Sequence, residues 1–185
     1  MSRLIENPKE LIIGKAQEIL YRDGYLKLSM RSLAKECEIA LGTIYNYYPT
    51  KQELITEMMM EYWQNFLKQV REIVGSEDEF YHELKDIFNE LAVFIRNFKQ
   101  FWLTTELYDE KECVENGLQK ENIFMEELIR ILEELLLSGQ AKGEVQMELG
   151  VHNTASFIMM NFITMVQRPL FSYEVFELFL KELLN

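Results

Sequence analysis

Apolar residues recur at three- and four-residue spacing along most of the chain, and this period predicts helices. Only 3 prolines and 8 glycines interrupt it, so long uninterrupted elements are favoured over strands and tight turns. The first helix is predicted to open at Asn7 and Pro8, because asparagine is a good N-cap and proline suits the first helical position. Gly24 is predicted to end it. The pattern therefore predicts an all-α protein.

Two short helices follow within the next 25 residues. Ser29 is predicted to cap the second helix, in which apolar residues follow the i, i+3, i+4, i+7 rule. A third short helix is predicted over residues 42–48, because Pro49 disfavours the helical conformation for the residue before it. Three short helices are thus predicted in about fifty residues, a proportion typical of a helix-turn-helix unit.

Longer helices are predicted in the rest of the chain. Thr50 and Glu53 match a capping box, and a helix to about Val74 follows them. Ser76 and Glu79 form a second possible box at the start of the next helix. The stretch 98–109 has weaker periodicity. Further helices are predicted over 111–138, with a turn from 139 to 143, over 151–167, and after a Ser172 cap.

Charge is distributed unevenly between the two parts of the chain. The net charge is −12, but residues 1–55 hold 8 Lys and Arg against 7 Asp and Glu, whereas residues 56–185 hold 11 against 24. An acidic body is repelled by phosphate, so any contact with nucleic acid is predicted in the N-terminal segment.

Few residues are available for metal, disulfide or redox chemistry. The two cysteines, Cys37 and Cys113, are far apart in sequence, and the two histidines are equally scattered. We therefore predict no metal site, no cofactor and no disulfide framework. The chain starts without an apolar signal core and contains no run long enough to cross a membrane. We expect a cytoplasmic protein that has no membrane partner.

The segment from Ser29 to Leu54 carries the most specific motif. It reads Ser-Met-Arg-Ser-Leu-Ala-Lys-Glu-Cys, then after three residues Leu-Gly-Thr-Ile-Tyr-Asn-Tyr-Tyr-Pro-Thr-Lys-Gln-Glu-Leu. This closely resembles the DNA-binding domain of the TetR family of bacterial transcriptional regulators. The resemblance covers roughly residues 8–60 and implies a helix-turn-helix domain over residues 1–50. It also implies a helical ligand-binding and dimerisation domain over residues 51–185.

The predicted third helix has two distinct faces. At 100° per residue, Thr43, Asn46 and Tyr47 share one face, while Ile44 and Tyr48 share another that suits the small core. Asn46 can pair with adenine, and Thr43 offers a hydroxyl and a methyl group. Just before it, Leu41 and Gly42 would permit close approach of the backbone. By resemblance to the family, phosphate contacts are expected from Ser29, Arg31, Tyr45, Tyr47 and Lys51.

Structural explanations compete with these functional ones. The three tyrosines can also be packing residues, Ser29 can be a plain N-cap, and Cys37 suits a buried small side chain. Lys51 in the first turn of a helix opposes the helix dipole unless an anion lies nearby. Two residues depart from the family pattern, because Glu38 stands where glycine is usual and Ala40 where a small polar cap is usual.

The remaining two thirds are rich in aromatic residues and methionine, which suit a pocket for an apolar or aromatic ligand. Ordinary core packing is the alternative for each of them. The residues predicted to bind the ligand are Tyr62, Phe66, Phe88, Phe98, Phe101, Trp102, Tyr108, Phe124 and Phe162.

The last two predicted helices carry apolar residues on a wide arc. A helix that packs on one side only would not need this arc, so we predict a four-helix interface in a homodimer. The residues predicted for the interface are Ala155, Ile158, Met159, Phe162, Val175, Phe176 and Phe179.

The sequence thus predicts a dimeric, ligand-responsive transcriptional regulator. We expect a repressor that binds a pseudo-palindromic, double-stranded DNA operator through the major groove and is released by a small hydrophobic effector. Two alternatives remain: a DNA-binding regulator without a small-molecule ligand, and a helical carrier of apolar molecules that has lost DNA binding. An enzyme is not expected, because no catalytic constellation accompanies the many acidic residues.

Overall fold

The computed structural model of the protein describes residues 7–76, 78–102 and 111–184, with side chains in the third range from Asn122 onward. The elements in these ranges are all helical, as predicted. They are α1 (Pro8–Asp23), a short 3-10 helix (Tyr25–Lys27), α2 (Met30–Glu36), α3 (Leu41–Tyr47), α4 (Lys51–Val74), α5 (Phe80–Phe101), α6 (Lys111–Lys142), α7 (Val151–Gln167) and α8 (Tyr173–Leu183).

Several predicted helix ends are confirmed by their hydrogen bonds. Ser29 Oγ accepts from the Ser32 backbone amide at 3.0 Å, and Ser32 Oγ accepts from the Ser29 amide at 2.9 Å. The Glu53 amide donates to Thr50 Oγ1 at 3.1 Å, and the Thr50 hydroxyl donates to the Glu53 carboxylate. Helix α3 begins and ends one residue earlier than the predicted 42–48, and Tyr48 has the extended backbone that the following Pro49 favours.

Other predicted helix ends are wrong. Helix α5 begins at Phe80 rather than after Ser76, because the Ser76 hydroxyl donates to buried Glu83 instead of capping the helix. The same helix continues to Phe101, through the first part of the stretch predicted to be irregular. Helix α6 continues past Gly139 to Lys142.

The chain divides into two compact units. Among the described residues, the first unit contains 7–62, 97–102 and 111–118, and the second contains 63–76, 78–96 and 119–184. Helix α4 is continuous across this division, so one helix contributes residues to both units. A functional boundary after residue 50 stays a prediction.

Each unit has its own buried core. In the first unit, apolar residues of α1 to α4 and the end of α5 pack together, among them Ile12, Ala16, Leu20, Leu33, Ile44, Leu54, Met58 and Trp102. In the second unit the fully buried residues include Leu84, Ile87, Leu132, Leu135, Ala155, Ile158 and Phe162. Burial of these side chains is the main source of stability for both units.

Within the described residues, none of the helices combines the length and the apolar character needed to span a bilayer.

Candidate functional site

Helix α3 separates a buried face from an exposed one, as the sequence predicts. Ile44 is 0% exposed and Tyr48, directly after the helix, is 2% exposed, so both anchor the first unit. Tyr45, Asn46 and Tyr47 are exposed instead. Their hydroxyl and amide groups therefore project from the fold as hydrogen-bonding groups on one short, well-anchored helix.

The start of α2 supplies two further predicted residues. Ser29 caps α2 through the reciprocal bonds described above, which confirms its structural role. Arg31 lies in the first turn, is exposed and makes no ion pair with any described residue. The guanidinium group is thus accessible to an anion.

The turn between α2 and α3 is built with Glu38 in place of glycine. Glu38 has a φ of 55°, which lies in the left-handed region that favours glycine. Its amide donates to the Lys35 carbonyl at 3.2 Å, and the Ile39 amide donates to the Ala34 carbonyl at 3.1 Å. These two bonds form a Schellman motif, so the hydrogen bonds of the turn are kept at some cost in backbone strain.

Lys51 has an intramolecular role that sequence reasoning missed. Its Nζ atom donates to the Tyr25 carbonyl oxygen at 3.1 Å and lies 3.5 Å from the centre of the Tyr25 ring. These contacts tie the start of α4 to the 3-10 helix and offset the unfavourable position of a lysine at a helix N-terminus. The spacing of apolar residues along the sequence does not predict a contact between Lys51 and Tyr25.

Gly42 has no structural need to be glycine. A Cβ atom placed on it would have no neighbour within 4 Å, and its φ is not positive. Leu41 beside it is half-buried against the core, and Thr43 is also half-buried. Glycine costs stability inside a helix, and nothing in the described part of the fold requires it at this position.

The residues predicted to bind a ligand fall into three aromatic clusters rather than one. In the first unit, a cluster that we call the Trp102 cluster contains Tyr21, Tyr62, Phe98, Phe101 and Trp102. In the second unit, Phe66 and Phe124 lie with Trp63 and Phe94, while Phe88 and Phe162 lie with Tyr173 and Phe176. Tyr108 is outside the described residues. Sequence reasoning missed Tyr21, Trp63 and Tyr173 as members of these clusters, which only their aromatic character could have indicated.

The predicted dimer residues are mostly buried within the second unit, which corrects the surface expected for a partner. Ala155, Ile158, Met159, Phe162 and Phe176 are at most 3% exposed in the single chain, because α7 and α8 bury them against their own unit. Of the predicted set, Val175 and Phe179 are exposed. Further exposed apolar residues on α7, on α8 and between them are Phe157, Met160, Leu170, Phe171, Leu178 and Leu183. We call these eight exposed residues the α7–α8 surface.

Cys37 is buried, as predicted, and burial raises the pKa of its thiol to about 11. Such a thiol is a poor nucleophile. Among the described residues, no three His, Cys, Asp or Glu side chains come together as a metal site.

Sequence comparison identifies the family of the segment that contains α3. Residues 12–58 match the family described as bacterial regulatory proteins, tetR family. This segment belongs to the tetR family. The matched range covers most of α1, all of α2 and α3 and the first turns of α4, including the exposed face of α3. The chain therefore carries the DNA-binding segment of a transcriptional regulator.

Whole proteins of known sequence extend the tetR-family match. The Fatty acid metabolism regulator protein of Bacillus subtilis (strain 168) is 24% identical over 147 residues, which cover 79% of this chain and 75% of that protein. The HTH-type transcriptional regulator UidR of Escherichia coli (strain K12) is 31% identical over 61 residues, which cover 33% of this chain and 31% of UidR.

Solved structures share the fold of this protein. A transcriptional regulator from Cytophaga hutchinsonii superposes with a TM-score of 0.70 at 19% identity, over 82% of this chain and 76% of that chain. The transcriptional regulator FadR from Bacillus subtilis, in complex with stearoyl-CoA, superposes with a TM-score of 0.59 at 22% identity, over 85% and 84% of the two chains.

Proposed function

We propose that this tetR-family regulator is a homodimeric repressor that binds a pseudo-palindromic operator and is released by a long-chain fatty acyl thioester. The observation that carries the proposal is the separation of α3 into a buried face and an exposed hydrogen-bonding face. A helix anchored in this way can enter a major groove without loss of the core.

The DNA contacts follow from the chemistry of the exposed groups. Asn46 can pair with the N6 and N7 atoms of adenine, and the Thr43 methyl group suits the thymine methyl group. Tyr45, Tyr47, Ser29, Arg31 and Lys51 are proposed to contact phosphates. Lys51 keeps its contacts to Tyr25 in this arrangement, because an ammonium group has three hydrogens to donate.

Dimerisation is proposed from the α7–α8 surface. Eight exposed apolar residues on adjacent parts of the chain are more than a soluble monomer usually leaves in water. In a dimer, each copy would cover the apolar surface of the other. A two-fold dimer would present two copies of α3 to half-sites that are about 34 Å apart.

The proposed effector is an apolar chain with a polar head. The Trp102 cluster offers apolar surface within the first unit, and FadR of Bacillus subtilis was solved with stearoyl-CoA. A ligand that alters the tilt of α4 would change the separation of the two copies of α3. A coupling of about 1–3 kcal/mol would weaken operator binding by roughly 5- to 150-fold.

The first test is selection of bound sequences from a random duplex library, with the Asn46→Ala variant beside the natural protein. We expect an inverted repeat, with the base preference relaxed at one symmetric pair of positions in the variant. An enriched motif without two-fold symmetry, or no enrichment at low salt, would contradict the proposal.

A pair of glycine variants tests whether DNA approaches α3 closely. Gly42→Ala and Gly14→Ala both place a methyl group where no atom lies within 4 Å, so both should raise the free energy of unfolding. Gly42→Ala should also weaken operator binding, because the methyl group would meet DNA, whereas Gly14→Ala should not. Equal operator affinity in the two variants would remove the proposed close approach at Gly42.

The effector is tested by adding palmitoyl-CoA to the operator complex and measuring fluorescence anisotropy of labelled operator DNA. Release of the DNA at micromolar palmitoyl-CoA, with no release by CoA alone, is the expected result. Unchanged binding would exclude this effector class and leave the DNA-binding proposal standing.

A further inference from the structure

The Trp102 cluster combines several rings with few polar groups. The ring centres of Tyr62 and Trp102 are 6.1 Å apart, and those of Phe98 and Trp102 are 6.5 Å apart. Tyr21 lies against Phe101 at 4.7 Å and is 41% exposed, whereas Trp102 is 2% exposed. The cluster therefore includes a ring at the surface and a ring inside the core.

Among the polar groups of the cluster, the indole N–H of Trp102 stands out. Tyr62 is hydrogen-bonded to the Asn97 side chain. The Nε1 atom of Trp102 is buried and has no hydrogen-bond partner among the described residues. An indole nitrogen can only donate, and a buried donor without an acceptor is costly, so such groups call for an explanation.

We propose that the Trp102 indole N–H donates a hydrogen bond to an acceptor oxygen of the effector. This inference rests on the proposed function for the existence of an effector, and it adds the residue that reads the polar end of the apolar chain. One donor among rings fits an alkyl chain that carries one carbonyl or carboxylate group. The thioester carbonyl of an acyl-CoA and the carboxylate of a free fatty acid share this chemistry.

Trp102 thus becomes a specificity-determining residue within the unit that also contains α3. Rings alone would accept any alkyl chain of suitable length. A single unpaired donor favours the chain whose oxygen reaches it, because an oxygen-free analogue leaves the donor unpaired.

The test measures the dissociation constants of two ligands for two proteins, which together form a thermodynamic cycle. The ligands are palmitoyl-CoA and S-hexadecyl-CoA, a thioether in which a CH2 group replaces the carbonyl. The proteins are the natural chain and a variant with 3-benzothienylalanine at position 102, in which sulfur replaces the N–H with little change of shape. Trp102→Phe is a second, genetically simpler variant, and isothermal titration calorimetry measures the dissociation constants.

We expect the natural protein to bind palmitoyl-CoA about 5- to 30-fold more tightly than the thioether, and the benzothienyl variant to lose this preference. If the variants lost affinity equally for both ligands, only the ring of Trp102 would matter, and the inference would be overturned. Wild-type binding of both CoA ligands with equal affinity would also overturn it.

The same titrations with palmitate separate this inference from the proposed effector. If palmitate binds and palmitoyl-CoA does not, the acyl thioester is wrong, and the inference stands when the variants weaken palmitate binding. If the wild-type protein binds neither palmitate nor palmitoyl-CoA, the proposed effector and the inference about Trp102 are both overturned.

The indole resonances give an independent readout. The protein has 2 tryptophans, so its nitrogen-15 spectrum holds two indole peaks, and Trp63→Phe identifies the one from Trp102. Palmitoyl-CoA should move the Trp102 N–H proton downfield, as a new hydrogen bond does. A peak that stays in place at saturation would contradict the proposed bond.

Discussion

Helix α3 and the α7–α8 surface both expose large side chains, but of different chemistry. On α3 the exposed residues end in hydroxyl and amide groups, while the α7–α8 surface exposes phenyl, thioether and aliphatic groups. The first kind of surface is stable in water and can exchange its hydrogen bonds for those of a base or phosphate. The second gains free energy only when apolar surface covers it. The nature of the exposed groups thus agrees with the two proposals, a DNA contact at α3 and a second copy of the chain at the α7–α8 surface.

The largest effect is expected from charge placed on each surface in turn. Phe179→Glu should weaken dimerisation at least about a hundredfold, because a carboxylate would be buried without a partner. Tyr47→Glu, on α3, should leave the dimer intact and abolish operator binding by repelling phosphate. Sedimentation velocity and an operator-binding assay measure the two properties. If Phe179→Glu stays dimeric, the α7–α8 surface has another occupant.

A glycine in each unit tests how closely that unit is packed. A Cβ atom on Gly139 would lie 2.9 Å from Phe80 Cδ2 and 3.2 Å from Val145 Cγ2. Gly139→Ala should therefore lower the free energy of unfolding by about 1–3 kcal/mol. Gly14→Ala, in α1, should raise it by about 0.5–1 kcal/mol, because only the entropy of the unfolded chain changes. Urea titration measures both, and equal signs would contradict the packing described here.

The smallest effect is expected at two helix ends with the same hydrogen bonds. Glu38 after α2 and Gly143 after α6 have positive φ values of 55° and 76°, and each lies in a Schellman motif. Glu38→Gly should raise the free energy of unfolding by about 1 kcal/mol, and Gly143→Ala should lower it by a similar amount. A thermal-melting comparison that shows no gain from Glu38→Gly would mean that the glutamate carboxylate stabilises the turn.

The sequence was most informative where a local rule decides the structure. Ser29 and Pro49 set the bounds of α2 and α3 through a cap and a steric clash that involve only neighbouring residues. The face of α3 that holds Ile44 was likewise predictable, because its period follows from helix geometry alone.

Prediction failed where a contact distant in sequence decides the outcome. The Ser76 hydroxyl bonds to Glu83 instead of capping a helix, and the helix continues through Gly139, where Phe80 leaves no room for a Cβ atom. The wide apolar arc of α7 was attributed to a dimer, but most of that arc is buried in its own unit, where Ala155 and Phe162 are 0% exposed. The contact of Lys51 with Tyr25 joins residues 26 positions apart and left no periodic trace.

The left-handed glutamate also has a genetic consequence. Both codons for glutamate, GAA and GAG, become glycine codons by a single change of the middle base, so one nucleotide separates the strained turn at Glu38 from a relaxed one. A library made by error-prone copying of this gene and selected for heat tolerance would contain that change at its first round. The helix-turn-helix would then be stabilised by a substitution that adds no contact.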